Sequence, residues 1–147
     1  MSTKLKSLAS ASENSNRNML KNLLNGNPIF DNEKINNIGF FLKRQELSKV
    51  LFFNEIYSKL VNTHGVIMEF GVRWGQNLVT LNNLRGIYEP YNYSRKIIGF
   101  DTFKGFSNVS KNDGKFEYAK KGAFNVSNDY ESYLEQVLNC HELESPL

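Results

Sequence analysis

Apolar residues recur at steps of three and four positions between Phe41 and Val61, and charged residues fill most of the positions between them. This spacing places the apolar side chains on one side of a helix, so we predict an amphipathic helix that packs against a core. We expect it to end before Gly65, because glycine readily adopts the left-handed conformation that often follows a helix.

The apolar residues then fall into short continuous runs. Val66–Phe70 lies between Gly65 and Gly71, and Lys96–Phe100 contains a second run of this kind. Short apolar runs bounded by glycine are typical of strands that are covered on both sides in a parallel sheet. We therefore predict two buried parallel strands.

A helix is predicted after each strand. Residues Gly75–Arg85 carry leucines on one side, and Asn77 is a candidate amino-terminal cap for this helix. A last helix is predicted from Tyr130 to about Asn139, with Asp129 as its cap. The stretch Ser107–Lys121 is polar and is predicted to be a loop.

The beginning of the chain is different in character. Residues Met1–Asn18 are rich in Ser, Asn and Lys, which indicates a loose polar lead-in. A short apolar patch at residues 19–24 predicts about one or two helical turns, which end at the breaker cluster Asn25–Pro28. We therefore divide the chain into a lead-in with a short helix, residues 1–37, and an α/β part, residues 38–147.

The predicted order in the second part is helix, strand, helix, strand, helix. A strand, a helix and a second strand form a βαβ unit, and this unit opens a doubly wound, Rossmann-like parallel α/β fold. The sequence ends just after the helix that follows the second strand. We therefore expect a partial fold that lacks the later strands of such a domain.

Composition and charge narrow the classes of partner. The 147 residues carry a net charge of +3 without a dense basic run, so we expect no nucleic-acid surface. No apolar stretch is long enough to span a bilayer, so we expect no membrane partner. A single cysteine, Cys140, is typical of a reducing compartment, and we expect a cytoplasmic protein.

The most informative chemistry lies in the loop that leaves the first strand. In open α/β sheets, ligands bind beyond the carboxyl ends of the strands. Gly71 and Gly75 allow a sharp turn and a close approach of a ligand, and the free amides of the next helix favour an anionic group. Asp101 ends the second strand, where a carboxylate can accept hydrogen bonds from a ribose diol.

The spacing of this loop distinguishes between nucleoside ligands. A dinucleotide site requires Gly-x-Gly-x-x-Gly, whereas Arg73 here occupies the position of the middle glycine. Glu69 stands two residues before Gly71, and a carboxylate there suits the amino group of S-adenosylmethionine. A purely structural turn at the glycines, and a local cap by Asp101, remain the alternatives.

Two longer segments carry a resemblance to a known family. Gly65–Gly75, and Arg95–Phe106 with its Gly-Phe-Asp-Thr-Phe-x-Gly-Phe run, resemble the macrocin O-methyltransferase family. The resemblance covers residues 38 to 139, about half of a family member, and implies a class I methyltransferase fold that uses S-adenosylmethionine. The candidate cofactor-binding residues are then Glu69, Gly71, Val72, Arg73, Gly75, Asn77, Asp101, Thr102 and Phe103.

The resemblance also sets further expectations. It implies a small-molecule acceptor with a sugar or other hydroxyl group, and a divalent metal in a full-length homologue, whose ligands would lie beyond Leu147. No catalytic residue and no metal ligand is predicted within this chain, and a homo-oligomer is left open. Two alternatives stay open: a dinucleotide-binding half-domain, and a non-catalytic fragment or interaction module whose sheet edge pairs with another chain.

Overall fold

The computed structural model describes residues 8–114 and 119–144 of the chain. Residues 1–7 of the predicted lead-in, residues 115–118 of the predicted loop and residues 145–147 lie outside the described residues. The chain forms two compact units: one is built from Leu5–Lys49, and the other contains Val50–Leu147. None of the described helices is both long and apolar enough to cross a membrane.

The described residues form five α-helices and two strands. In chain order they are α1 Ala11–Asn25, α2 Ile38–Phe41, α3 Arg44–Leu60, β1 Ile67–Phe70, α4 Gln76–Tyr88, β2 Ile97–Phe100 and α5 Tyr130–Leu143. Short 3-10 turns lie at Asp31–Glu33 and Lys111–Asp113. From the end of α3 onward, the predicted order of helices and strands is confirmed.

The polar beginning of the chain is more ordered than its composition predicts. Helix α1 covers residues that were predicted to be a loose lead-in, and the prediction of one or two turns is wrong. Its amino terminus carries a capping box: the Ser10 hydroxyl accepts from the Glu13 N–H, and the Glu13 carboxylate accepts from the Ser10 N–H at 2.8 Å. These bonds satisfy backbone donors that would otherwise be left without partners. The helix ends at Asn25, with Gly26 as its C-cap, as the breaker cluster predicts.

The long helix predicted over about Phe41–Val61 is present as α3, which begins three residues later and ends one residue earlier than predicted. Helix α2 ends at Phe41, Leu42 is extended with ψ 107°, and α3 then begins at Arg44. The four-residue helix α2 was not predicted from the apolar spacing. The predicted strands also agree with β1 and β2, to within one residue.

The two strands pair in parallel. Ile67 lies opposite Ile97, and Phe70 lies opposite Phe100. The core of this unit consists of two clusters that share Ile97, one around Tyr57, Leu81 and Leu84, and one around Val72, Leu78 and Leu134. Helices α4 and α5 therefore cover the same side of the sheet through leucines at helical spacing.

The opposite side of the sheet carries exposed apolar residues. The rings of Phe70 and Phe100 stack with centroids 4.9 Å apart, yet 75% and 45% of their surface is exposed. Met68 on the same side is also exposed. The prediction that both sides of the strands are buried is wrong for the described residues, because helices cover only one side.

A buried polar network lies at the amino-terminal ends of the strands. The Glu89 carboxylate accepts from the Tyr57 hydroxyl at 2.7 Å and from the Arg95 guanidinium at 2.9 Å. Arg95 also donates to the carbonyl oxygens of Gly65 at 2.9 Å and Thr63 at 2.6 Å, so it connects the turn before β1 to the segment before β2. Glu89 and Arg95 are each less than a tenth exposed.

The network shifts the pKa values of its members. The hydrogen bonds from Arg95 lower the pKa of Glu89 from 4.5 to about 2, against the opposing effect of burial. Burial, followed by the hydrogen bond to Glu89, raises the pKa of the Tyr57 hydroxyl. The Glu89 carboxylate is therefore ionised and the Tyr57 hydroxyl is protonated at neutral pH.

Candidate functional site

The carboxyl ends of β1 and β2 bring the two predicted site loops together. The ladder continues one residue past β1, where the Gly71 N–H donates to the Phe100 carbonyl at 2.8 Å. The loop that starts at Gly71 and the loop that starts at Asp101 therefore leave the sheet side by side. This edge lies at the opposite end of the strands from the Glu89 network, and we call it the carboxyl edge.

Asp101 connects the two loops directly. One carboxylate oxygen accepts from the Arg73 N–H at 2.8 Å, and the other accepts from the Phe103 N–H at 2.6 Å. The second bond is the local cap that was one of the alternatives for this residue. Each carboxylate oxygen can accept more than one hydrogen bond, so the cap does not prevent Asp101 from accepting a ligand hydroxyl.

The turn after Asp101 is held by its own side chains. The Thr102 hydroxyl donates to the Gly105 carbonyl at 3.2 Å and accepts from the Lys104 N–H at 3.3 Å. Thr102 is thus occupied in shaping the turn, while the Phe103 ring packs against the core cluster of Val72, Leu78 and Leu134.

Glu69 and Asn77 form a pair that the sequence does not predict. The Asn77 side-chain amide donates to the Glu69 carboxylate at 2.9 Å. The prediction that Asn77 caps the following helix is therefore wrong. Helix α4 begins after Gly75 without any side-chain cap, which leaves the N–H groups of its first turn available at this edge. Asn77 Oδ1 is buried and accepts no hydrogen bond from the described residues.

The two glycines of the loop have different roles. Gly71 has φ +87°, and a Cβ there would meet open space, so there is room above the loop for a ligand. Gly75 has φ +74°, but a Cβ there would overlap the Leu134 side chain of α5. Gly75 thus allows α5 to pack closely, and the expected room for a ligand lies at Gly71 instead.

The other predicted residues of this loop differ in accessibility. Val72 is buried in the core cluster, so only its backbone is available to a ligand, whereas Arg73 is exposed. The Arg73 guanidinium carbon lies 5.1 Å from the centre of the Phe124 ring, within the range of a cation–π contact. Trp74 is half-exposed and meets the Tyr130 ring edge-on at 4.9 Å.

Strained backbone is concentrated near this edge. Among the described residues, the non-glycine residues with positive φ are Arg73, Phe103, Phe124 and Asp129. Such conformations cost about 1–3 kcal/mol each and are found where the surrounding structure enforces them, often at functional sites. Asp129 does precede α5 as predicted, but its side chain makes no cap hydrogen bond, because the residue is in the left-handed region.

The segment 122–126 is a part of this edge that the sequence did not reveal. The Gly122 N–H donates to the Phe106 carbonyl at 2.9 Å, and the Phe106 N–H donates to the Ala123 carbonyl at 3.1 Å. A Cβ at Gly105 would overlap the backbone of this segment. The sequence signal for it is weak: the apolar pair Ala123-Phe124 follows the polar stretch Ser107–Lys121.

A cavity elsewhere does not compete with this edge as a ligand site. It has a volume of about 270 Å³ and lies between α4, β2 and α5. An ion pair between the buried Arg85 and Glu142 forms part of its wall. Ligands of open α/β sheets bind at the carboxyl ends of strands, whereas this cavity is lined by Ile97 at the amino-terminal end of β2 and by no residue of the carboxyl edge. No group of three or more metal-binding side chains lies among the described residues.

The parallel strands, the glycine loop between β1 and α4 and the acid after β2 define a methyltransferase-like α/β fold. Two solved structures of CalS11 are similar to this chain. One, described as a calicheamicin methyltransferase, is 39% identical with a TM-score of 0.85 and is matched over 99% of this chain and 58% of that chain. The other, described as the apo form of a TDP-rhamnose 3'-O-methyltransferase of calicheamicin biosynthesis, is 36% identical with a TM-score of 0.72, over 95% of this chain and 51% of that chain.

The chain thus spans about half the length of the solved structures that it matches. No family model matches the sequence, and no curated protein matches it either. The matched structures are described as methyltransferases, and the match does not single out the macrocin family that the motifs resemble.

Proposed function

We propose that this chain is the cofactor-binding part of an S-adenosylmethionine-dependent methyltransferase that acts on a hydroxyl group of a sugar. The observation that carries the proposal is Asp101, which directly follows β2 and accepts a backbone hydrogen bond from each of the two loops. The 39% identity to CalS11 over 99% of this chain supports the reaction class and the sugar acceptor.

The residues at the carboxyl edge fit such a cofactor. Open space above Gly71 leaves room for it, and the uncapped first turn of α4 offers N–H donors. Asp101 would accept from the ribose hydroxyls, and Glu69, oriented by Asn77, would face the ammonium group. These two carboxylates suit the two parts of the ligand that donate hydrogen bonds.

The cofactor, when bound, supplies a methyl group that is already activated for transfer. The chain's own residues would then act by binding and orientation, which bring the methyl group and the acceptor hydroxyl into line. We assign no general base, because catalytic residues are not predicted within this chain.

The finer parts of the proposal rest on the motif resemblance. The Gly-Phe-Asp-Thr-Phe-x-Gly-Phe run at residues 99–106 favours the macrocin O-methyltransferase family. A small-molecule acceptor goes with that family. A divalent metal in a full-length homologue, a homo-oligomer and a cytoplasmic location stay predictions.

Calorimetric titration with S-adenosylhomocysteine, the demethylated product, tests the proposal. We expect saturable binding with one site per chain, and no heat of binding with NADH. Binding of NADH in place of S-adenosylhomocysteine would support the dinucleotide alternative, against which Arg73 at the middle glycine position argues. The absence of binding for both ligands would contradict the proposed function.

A second candidate, an interaction module, is favoured by the exposed side of the sheet. The stacked Phe70 and Phe100 present an apolar surface that no described residue covers fully. Sedimentation velocity separates the two candidates. A monomer that binds S-adenosylhomocysteine favours the enzyme, whereas stable assemblies without ligand binding favour the module.

A further inference from the structure

Arg73 occupies a fixed position in the middle of the loop between β1 and α4. Its backbone is left-handed, with φ 51°, and its N–H donates to Asp101 at 2.8 Å. Its guanidinium carbon lies 5.1 Å from the centre of the Phe124 ring. The backbone of Arg73 is therefore held by the loop after β2, and its side chain is held by segment 122–126.

Phe124 is itself well placed to hold a side chain. Its ring meets the Phe106 ring edge-on at 5.4 Å. Its neighbours in the chain, Gly122 and Ala123, are hydrogen-bonded to the backbone of Phe106. The ring against which Arg73 lies is thus attached to the same loop that Asp101 begins.

The contact with Phe124 leaves the hydrogen-bonding capacity of Arg73 available. A guanidinium uses its flat face on an aromatic ring, while its N–H donors lie in its plane and point outward. Within the described part of the chain, these donors make no hydrogen bond, and the side chain is exposed. Arg73 thus places an exposed fork of donors beside the Phe124 ring at the carboxyl edge.

The charges around this fork limit what it can bind. Glu69 and Asp101 place two carboxylates at the same edge, and they disfavour a ligand carboxylate unless a cation offsets them. Helix α4 begins three residues after Arg73, and its uncapped first turn adds N–H donors that also favour a negatively charged group. A planar carboxylate matches the fork of an arginine better than any other common anion except phosphate.

Building on the proposed function, we propose that Arg73 binds the carboxylate of the cofactor's amino acid end, and that Phe124 is a positioning residue that aims the guanidinium. The methionine portion of the cofactor would then be held at both charges, with Glu69 facing the ammonium group. This role gives the chain a means to distinguish the intact cofactor from analogues without the carboxylate.

Calorimetry on the full chain with a matched pair of ligands tests this inference. The pair is S-adenosylhomocysteine and its decarboxylated analogue, which lacks only the carboxylate. For Arg73→Ala we expect the affinity for S-adenosylhomocysteine to fall about 10- to 100-fold, the range for a charged hydrogen bond, while the affinity for the analogue changes less than about twofold. Arg73→Lys keeps the charge but loses the fork, so its effect should be intermediate.

Two further variants make the test specific. Phe124→Leu keeps the bulk but removes the ring, and should weaken only S-adenosylhomocysteine, by less than Arg73→Ala does. Lys104→Ala removes an exposed cation from the adjacent loop and should change neither affinity. If Arg73→Ala weakens both ligands equally, or neither, Arg73 does not bind the carboxylate. If the unchanged chain binds neither ligand, the proposed function itself is contradicted.

Discussion

Asp101 has two structural contacts and retains the capacity for a third. Each of its oxygens accepts one backbone N–H, from Arg73 and from Phe103, and both of these residues have positive φ. The carboxylate therefore holds two strained loops in place at the carboxyl edge. A ligand hydroxyl would use the remaining acceptor capacity of the same oxygens.

The variant Asp101→Asn tests both roles. It keeps the size of the side chain but turns one acceptor into an N–H donor that faces a backbone N–H. We expect a loss of about 1–3 kcal/mol in the free energy of unfolding, because one backbone donor is left unpaired. We also expect the affinity for S-adenosylhomocysteine to fall about tenfold or more.

Asp113→Asn is the matched control for this variant. Asp113 also accepts from a backbone N–H, that of Ser110 at 2.6 Å, but in a 3-10 turn away from the strand ends. We expect it to leave ligand affinity unchanged. An Asp101→Asn protein that is folded and binds ligand normally would show that Asp101 is only a cap.

The residues of the site were predictable to different degrees. Asp101 and Gly71 follow from strand patterns, because the end of a parallel strand fixes which residue stands at the edge. The partner of Asn77 did not follow, since Glu69 competes for its side chain and only the geometry of the loop decides the outcome. Phe124 could not be found, because its position depends on backbone pairing with residues 103–106.

At the scale of elements, α1 shows how a local cap overrides composition. The Ser10-x-x-Glu13 pattern is visible in the sequence, but the polar residues around it predicted no helix. The short helix α2 was likewise not predicted, since its end depends on the extended backbone at Leu42, which apolar spacing does not record. Elements with strong local patterns, such as β1 and β2, were predicted to within one residue.

Ser10→Ala tests the contribution of the cap. Loss of an N-cap side chain costs about 1 kcal/mol, so we expect the first turn of α1 to fray. Hydrogen exchange of the Glu13 and Asn14 amides should become about fivefold faster, since about 1 kcal/mol corresponds to that factor. Ser12→Ala, two residues further along the first turn, should not change the exchange of these two amides. If the Glu13 and Asn14 amides exchange at the same rate in Ser10→Ala and Ser12→Ala, the cap contributes nothing to the stability of this turn.

The packing of α5 on α4 depends on the missing side chain of Gly75. We expect Gly75→Ala to destabilise the protein by about 2–4 kcal/mol, through strain at positive φ and overlap with Leu134. Leu134→Ala should cost about 2–5 kcal/mol, because it leaves a cavity in the core.

The double variant separates strain from overlap. Since Leu134→Ala removes the atoms that a Cβ at Gly75 would meet, the two costs should sum to more than the cost of the double variant. Denaturant unfolding of the four proteins measures this difference. Strict additivity would mean that Gly75 is required only for its backbone conformation.

At the scale of the whole molecule, the two ends of the β1–β2 pair have different roles: one is structural and the other carries the candidate site. The amino-terminal ends are joined by the buried network of Tyr57, Glu89 and Arg95, whereas the carboxyl ends present the candidate site. The predicted α/β fold is confirmed, but the apolar strand patterns did not reveal the exposed side of the sheet. That side depends on which elements cover it, and the chain spans only about half of the structures it matches.

The network predicts how stability depends on pH. Because the folded pKa of Glu89 is about 2 and its ordinary value is 4.5, unfolding takes up a proton between these values. The stability that Glu89 provides is present above about pH 4.5 and is lost as the pH falls toward 2, by on the order of 3 kcal/mol in total.

Glu89→Gln should remove this dependence. The variant should be less stable by about 3–5 kcal/mol at pH 7, since it leaves the buried Arg95 charge unpaired, and its stability should fall less between pH 4.5 and 2. Denaturant unfolding across this pH range measures both effects. Parallel pH profiles for the two proteins would contradict the role of Glu89.

The most direct test of the central claim is a titration of the isotope-labelled chain with S-adenosylhomocysteine, followed by amide NMR. The carboxyl edge is predicted to bind the ligand, so the amide signals of Gly71, Arg73 and Phe103 and the indole signal of Trp74 should shift and saturate together. The signals of Gly65 and Arg95, at the other end of the strands, should stay unchanged. Saturable shifts confined to that other end, or no shifts at any ligand concentration, would contradict a cofactor site at the carboxyl edge.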